Sequence, residues 1–555
     1  MSVHFDAAGV RSVLTDLGRP CYVVASQGRT GVTDERPGRD ARVVAVAAPV
    51  SVRHLGSPAF LDRHGLRFPY MAGSMAGGIS SVELVTAMAR GGHLASFGAA
   101  GLPADRVDEA VRRLRRELPN LPWACNLIHS PADPAAERRC VDLYLHHQMP
   151  CVEASAFIQP TADLVRYRAA GLHPGPDGAV QIRHRVIAKV SRAATAAFFL
   201  RPAPGELLAE LVRDGRLTPG QAELARRVPL ADDITVEADS AGHTDRRPLV
   251  TQLPLLLALR DRERHEGGLG GDVGIGAAGG IGTPHAAFAA FSLGADYVVT
   301  GSVNQSCVEA GTSPQVKEAL AAADIADCAM APAADMFEMG VDVQVLRRGS
   351  LFAGRAAWLY RLYRTHNGLD DLSPPDRLRL EEQVLGRPVT EVWADVAAYL
   401  SRQRPQEAER AAREPKVRMA LLFRWYLGLS SRWATDGEPT RVGDYQIWCG
   451  PAMGAFNAWV HGSAWQNPRN RRAPELAQAF LDGAAYQARL AQLRFCGVRL
   501  PTWCSACPPP GADLRLPQEA TSQPQLPAPV VTAPLGRAAS PQPSSAGRDL
   551  PTWSK

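Results

Sequence analysis

Between Met71 and Val303 the chain repeats one pattern eight times. A short apolar run, rich in β-branched or small residues, ends in Gly, Ser or Asn and is mostly followed by helical periodicity. The runs are FPYMAGSM, HLASFG, WACNLI, CVEAS, RVIAKVS, DITVEA, VGIGAAGG and YVVTGS. Strand then helix, eight times over, predicts a closed parallel (β/α)8 TIM barrel. An open doubly wound sheet is the alternative, but it rarely needs eight parallel strands in succession.

The remainder arranges itself around that barrel. A chain of 555 residues exceeds one compact core, so more than one folded unit is expected. Residues 1–65 form a preface with one strand-like run, CYVVAS, and residues 66–312 hold the barrel. Residues 80–90 (SSVELVTAMAR) and 105–117 carry the pattern of outer barrel helices, the first with a serine suited to cap it. About forty residues separate Ser191 from Asp233, with an inserted helical segment at about 203–231 after strand five. An insertion there is expected at the active-site end of the barrel. Residues 313–500 are mainly α-helical in pattern and form a C-terminal unit. The tail at 508–555, rich in Pro, Ser, Ala and Gln, is expected to be disordered, so truncation after Leu500 should leave stability nearly unchanged.

Composition excludes several classes. A formal net charge of +5 without a basic run gives no nucleic-acid surface. No apolar run approaches the ~20 residues of a membrane span. The nearest, MALLFRWYLGL, is broken by Arg424 and reads as a buried helix. The N-terminus lacks the pattern of a signal peptide, and the cysteines are scattered apart from CSAC at Cys504 and Cys507. Free thiols in a reducing cytoplasm, with no metal, are the expectation.

The chemistry concentrates at the ends of the barrel runs. AAGGIGTP (277–284) and TGSVNQ (300–305) end runs seven and eight, with Gly279 and Gly301 one βα unit apart. In a barrel of this class a phosphate often lies between those two loops, because backbone N–H groups point at an anion that glycine lets approach. Tight turns are the plainer reading of the same glycines. In EADSAGHTD, His243 sits where an imidazole can donate a proton at the barrel mouth, although a lone histidine is usually structural. Asp239 is placed either to orient it or to cap the next helix. Lys189 in RVIAKVS and Asn126 in WACNLI are polar residues in apolar strands. A lysine there must be paired or solvated, at the mouth or against Glu153 on strand four. His129 is a weaker site candidate. No Gly-x-Ser-x-Gly elbow, Walker loop, thiol–His pair or metal-spaced set is present.

The stretches NLIHSP, VEASAF, ADSAGHTDRRP, GAAGGIGTP, VVTGSVNQ, MFEMGVDVQVLRRGSLFAGRA and YQIWCGPAMGAFN resemble the PfaD family. Its members are FMN-dependent enoyl reductases acting in trans with polyketide and polyunsaturated fatty-acid synthases, and are similar to nitronate monooxygenases. The resemblance runs from about Cys21 to Pro501. It implies that Gly73 to Met75 pass beside the isoalloxazine and that Asn126 and Lys189 contact flavin atoms. Gly279, Gly280, Gly301 and Ser302 would hold the FMN phosphate, and His243 matches the histidine of the related A-G-G-H motif. The chain departs from the pattern at Gly77, where asparagine is expected, and at Ala241, in place of the motif's first glycine.

By the same resemblance, NAD(P)H would reduce FMN, which would reduce the α,β double bond of an enoyl thioester on an acyl carrier protein. A homodimer is favoured, with oligomeric state open. The rivals are a nitronate-type FMN oxidase, distinguished by needing oxygen and no NAD(P)H, and a non-catalytic docking protein of a synthase, which would bind no flavin.

Overall fold

The computed structural model describes residues 2–511, apart from 27, 40, 130–133, 243 and 267. In chain order the strands are β1 (Cys21–Ser26), β2 (Arg29–Thr33), β3 (Arg42–Ala47), β4 (Tyr70–Ala72), β5 (Leu94–Phe97), β6 (Ala124–Ile128) and β7 (Cys151–Ser155). Then follow β8 (Leu172–Pro174), β9 (Val180–Ile182), β10 (Arg185–Val190), β11 (Asp233–Glu237), β12 (Gly274–Ala278), β13 (Val298–Thr300), β14 (Cys328–Pro332) and β15 (Asp342–Leu346). Strands β4–β7 and β10–β13 close into one parallel barrel, with β13 pairing to β4 and β7 to β10. These are the eight runs of the sequence.

Alternation along each strand divides the barrel into two environments. Outward residues such as Val152, Val186, Ala188, Ile234, Val236 and Ile275 are buried beneath the outer helices. Inward residues at the N-terminal end, among them Met71, Leu94, Ala124, Cys151 and Ile187, make a separate apolar cluster with Phe60 and Tyr297. The helix Pro58–His64 closes that end. Its Phe60 ring stacks on Tyr297 at 4.0 Å, and His64 Nε2 lies 2.7 Å from Asp233 Oδ2. Tyr297 in turn shares a 2.8 Å hydrogen bond with Thr235 Oγ1, and Gly276 is required beside it because a Cβ would meet the ring at 2.3 Å.

The insertion after strand five lies at the opposite end from the one expected. The helix Ala193–Leu200 comes first and carries the chain back, so Gly205–Arg213 and Pro219–Ala225 extend the return connection at the N-terminal end. They pack on the helix Ala162–Ala170, and the second also on β8 of the β8–β9 hairpin that precedes β10. Arg168 is fully buried there and donates to Asp232 at 2.6 Å and to Pro229 O at 3.0 Å.

The preface is a three-stranded antiparallel sheet in the order β2-β1-β3, of which the sequence revealed only β1. The C-terminal stretch begins with helix, as expected, but then forms the β14–β15 hairpin before its long helices. Its own core draws on residues between Ala331 and Leu427. Arg424 lies in the buried helix Pro415–Asp436, where its Nε donates to Ala334 O at 3.0 Å. The helix Ala473–Phe495 returns to the barrel and the preface, packing on Pro284–Ser292 so closely that a Cβ at Gly483 would meet Pro284 at 2.5 Å.

The expected silence of a truncation after Leu500 is overturned by the seven residues beyond it. Cys504 is buried, Tyr486 OH donates to its carbonyl at 2.7 Å, and Trp459 Nε1 donates to Cys507 O at 2.7 Å. Residues 512–555 lie outside the described residues. Among the described residues, no helix is long and apolar enough to cross a membrane.

Candidate active site

The C-terminal end of the barrel replaces the apolar inward layer with charge. Two residues on from Cys151 the alternation brings Glu153 inward, two on from Ile187 it brings Lys189, and two on from Thr235 it brings Glu237. Lys189 Nζ lies 3.2 Å from Glu237 Oε1 and 3.9 Å from Glu153 Oε1. Burial pushes the ammonium toward its neutral form, but the two carboxylates outweigh it and hold the Lys189 pKa above the ordinary lysine value. Glu153 is fully buried; its Oε2 accepts from the Ser74 amide at 2.8 Å, while Oε1 accepts no hydrogen bond from the described residues. Asn126 is also buried and donates to Glu153 O at 3.1 Å and Ser155 Oγ at 3.0 Å.

Two glycine-bearing loops rise beside this layer. Gly279 and Gly280 follow β12 with φ of +92° and +73°, conformations that favour glycine. Gly301 and Ser302 follow β13. The amides of Gly280, Gly301 and Ser302 donate to no acceptor among the described residues. A Cβ on Gly280 or Gly301 would meet nothing within 4 Å, so the space against both is open.

Part of the C-terminal stretch closes over these loops. Gly450 N donates to Ser302 Oγ at 3.2 Å, and a Cβ on Gly282 would lie 2.1 Å from Ala452 O. From β15, Gln344 Nε2 donates to Asp239 Oδ1 at 2.6 Å, fixing the loop that follows β11. Asp239 is therefore tied to the hairpin.

The remaining sequence candidates divide. Gly73 follows β4 with its amide on Thr300 O at 3.1 Å, and a Cβ there would lie 3.7 Å from Glu153 Oε1, placing it beside the charged layer. Met75, half-buried, follows in the same loop with its amide on Ser80 Oγ at 3.0 Å. His129 is drawn away: its Nδ1 lies 2.8 Å from Glu137 Oε2 and its ring stacks on Phe157. His243 lies outside the described residues. Sequence reasoning missed Glu237, Gln344 and Gly450. The signal for Glu237 was the alternation itself; Gln344 and Gly450 reach the barrel from distant parts of the chain and left no local signal. Among the described residues, no group of three His, Cys, Asp or Glu is placed to hold a metal ion.

Residues 1–49 match the family model described as the fatty acid synthase subunit PfaD N-terminal domain. The chain is also 36% identical to the crystallised enoyl reductase domain of MlnA from the macrolactin biosynthesis cluster of Bacillus amyloliquefaciens. That match has a TM-score of 0.75 and covers 80% of this chain and 100% of that one. The chain belongs to the PfaD family. Among curated relatives of this PfaD-family chain, a polyunsaturated fatty acid synthase subunit of Thraustochytrium sp. is 45% identical over 87% of this chain and 33% of the relative. Polyketide biosynthesis protein PksE of Bacillus subtilis is 42% identical over 79% of this chain and 57% of its own length. The chain thus spans about a third to little more than half of these relatives. Residues 366–445 match the model described as the inserted helical domain of [acyl-carrier-protein] S-malonyltransferase.

Proposed function

We propose that this PfaD-family chain is an FMN-dependent enoyl reductase of a polyketide or fatty-acid synthase. It would act in trans on the α,β double bond of an enoyl thioester carried by an acyl carrier protein, with NAD(P)H as reductant. The observation that carries the reading is the convergence of the Lys189 layer with the open, unpaired amides of the β12 and β13 loops. The relatives support it, since they are synthase and polyketide proteins and a solved one is an enoyl reductase domain.

The residues present fit the cofactor. Gly280, Gly301 and Ser302 offer free N–H donors to a phosphate, with Gly279 completing the turn. Gly73, Met75, Asn126 and Lys189 would surround the ring system, where Glu153 keeps one buried oxygen without a hydrogen bond from the described residues. When bound, FMN supplies the hydride transfer between NAD(P)H and the β-carbon of the substrate. Lys189, held charged by its two carboxylates, keeps an N–H donor at the barrel mouth. Glu153 and Ser155 fix the Asn126 amide. Reduction also requires a proton at the substrate's α-carbon, and His243 is the candidate donor on its position in the sequence. The partner is an acyl carrier protein, and a homodimer is favoured.

The test is the absorption spectrum of purified protein. Yellow protein, bleached by anaerobic NADPH and restored by an enoyl thioester, is the expected result; colourless protein, or colour that NADPH leaves unchanged, overturns the reading. His243→Ala should slow only the restoration, by ~10²–10⁴-fold. Equal slowing of both phases removes His243 from the proton transfer.

A further inference from the structure

The loop after β11 carries two consecutive arginines that the chemistry above does not use. They line an open cleft of about 660 Å³ between this loop and the β14–β15 hairpin. Arg246 and Arg247 are both exposed, and neither guanidinium makes a hydrogen bond or a close ion pair with any described residue. That sets them apart from arginines of the same region. Arg192 grips Asp245 through two hydrogen bonds of 2.7 and 2.8 Å, and that pair, with a smaller electrostatic pull from Arg247, holds the Asp245 carboxyl below its usual range. The nearest carboxylate in sequence is thereby already engaged. Asp239, the other acid lining the cleft, is held by Gln344.

The backbone fixes how the pair is presented. Arg246 has φ of +54°, a left-handed conformation that non-glycine residues seldom adopt. The Arg247 carbonyl accepts from the Asp239 amide at 3.1 Å, pinning the loop to the end of β11. The opposite wall is largely apolar, with Ile325, Ala329, Met330 and Pro451. A cationic rim over an apolar wall, beside the barrel mouth, suits a ligand with a phosphate at one end and a slender, weakly polar chain beyond it. Guanidinium forks match phosphate oxygens in geometry and charge.

We propose that Arg246 and Arg247 are a phosphate-binding rim that receives the phosphate of an incoming reactant. It deepens the proposed function and rests on it for the identity of the reactants. Two of them carry such a group: the phosphopantetheine arm of the acyl donor, and the nicotinamide dinucleotide with its 2′-phosphate.

Calorimetric titration of the full chain, without reductant, separates these sources. The ligands are crotonyl thioesters of phosphopantetheine and of pantetheine, then the oxidised dinucleotides NADP+ and NAD+, on the parent and on Arg246→Gln/Arg247→Gln. Charged hydrogen bonds of this kind correspond to about 10- to 100-fold in Kd. Weakening of phosphopantetheine relative to pantetheine by that factor in the double variant assigns the rim to the acyl arm. The same selective loss for NADP+ over NAD+ assigns it to the dinucleotide. Equal weakening with and without the phosphate, or no weakening of either, overturns the proposal. Both substitutions are at exposed side chains, and an unchanged far-ultraviolet circular dichroism spectrum verifies the fold. The titration runs whether or not the protein is yellow, so failure of the rim and failure of the flavin assignment give different results.

Discussion

Replacing Lys189 by methionine removes the cation shared by Glu153 and Glu237 while nearly preserving side-chain length. At an effective dielectric of about 20, charges 3.2 and 3.9 Å apart attract with about 5 and about 4 kcal/mol, and desolvation cancels much of this. Removing one partner of a buried pair costs about 3–5 kcal/mol, because the opposite charge stays buried without compensation. In Lys189→Met the folded chain relieves that cost by taking a proton on the carboxylate pair, which the unfolded chain releases above about pH 4.3. The variant therefore loses stability as pH rises from 5 to 8, by up to about 1.4 kcal/mol per pH unit. The parent has the opposite linkage. Its lysine pKa is raised on folding, so the contribution of Lys189 is fully present below about 10.4 and disappears only as pH rises through the still higher folded value. Between pH 5 and 8 that contribution is constant. Thermal melts across this window should show Lys189→Met falling roughly 10 °C below the parent at pH 8, with the gap narrowing toward pH 5. Glu153→Gln added to Lys189→Met should recover part of the loss. A gap of a degree or less, or one that does not change with pH, would refute the claim that Lys189 neutralises a buried carboxylate pair.

Gly301→Val should give folded but colourless protein, because its Cβ meets no protein atom within 4 Å while its branches fill the space against the loop. Absorbance near 450 nm with circular dichroism decides it. Gly276→Ala should destabilise the barrel by about 1–3 kcal/mol, since its Cβ would be 2.3 Å from the Tyr297 ring; chemical denaturation measures the loss. Truncation after Leu500 should lower the melting temperature by several degrees, because it removes buried Cys504 and the carbonyls that accept from Tyr486 and Trp459.

The barrel was legible because each of its strands is short, apolar and stopped by a small or polar residue, so eight repeats survive any single misreading. The preface was not, since β2 (RTGVT) and β3 (RVVAVA) are edge strands of one small sheet, and their pattern does not recur elsewhere to confirm it. The β14–β15 hairpin escaped for a related reason: CAMAP is as compatible with helix as with strand, and only pairing with DVQVL decides it. The insertion shows a different limit. Its length was plain, but which end of the barrel receives it depends on whether a return helix precedes it, and AATAAFFL is that helix.

At the site, Lys189 announced itself as an ionised residue among Val and Ala, and the pairing with Glu153 was open from the sequence as one of two ways to satisfy it. The structure gives it Glu153 and, closer, Glu237. Glu237 drew no notice because it stands near the end of the run DITVEA, just before the small and polar residues ADSAG. Yet it is in phase with Asp233 and Thr235, and in a barrel that phase alone turns it inward. No such count reaches Gln344 or Gly450. They lie 105 residues beyond Asp239 and 148 beyond Ser302 in the chain, and contacts of that span follow from how the C-terminal stretch folds back over the mouth. The barrel strands thus carry the charged floor within their own alternation, whereas the cover over the glycine loops is a tertiary property. Gly450→Pro, which removes the amide donor, should accordingly act on the β13 loop through Ser302 even though nothing in the local sequence joins them.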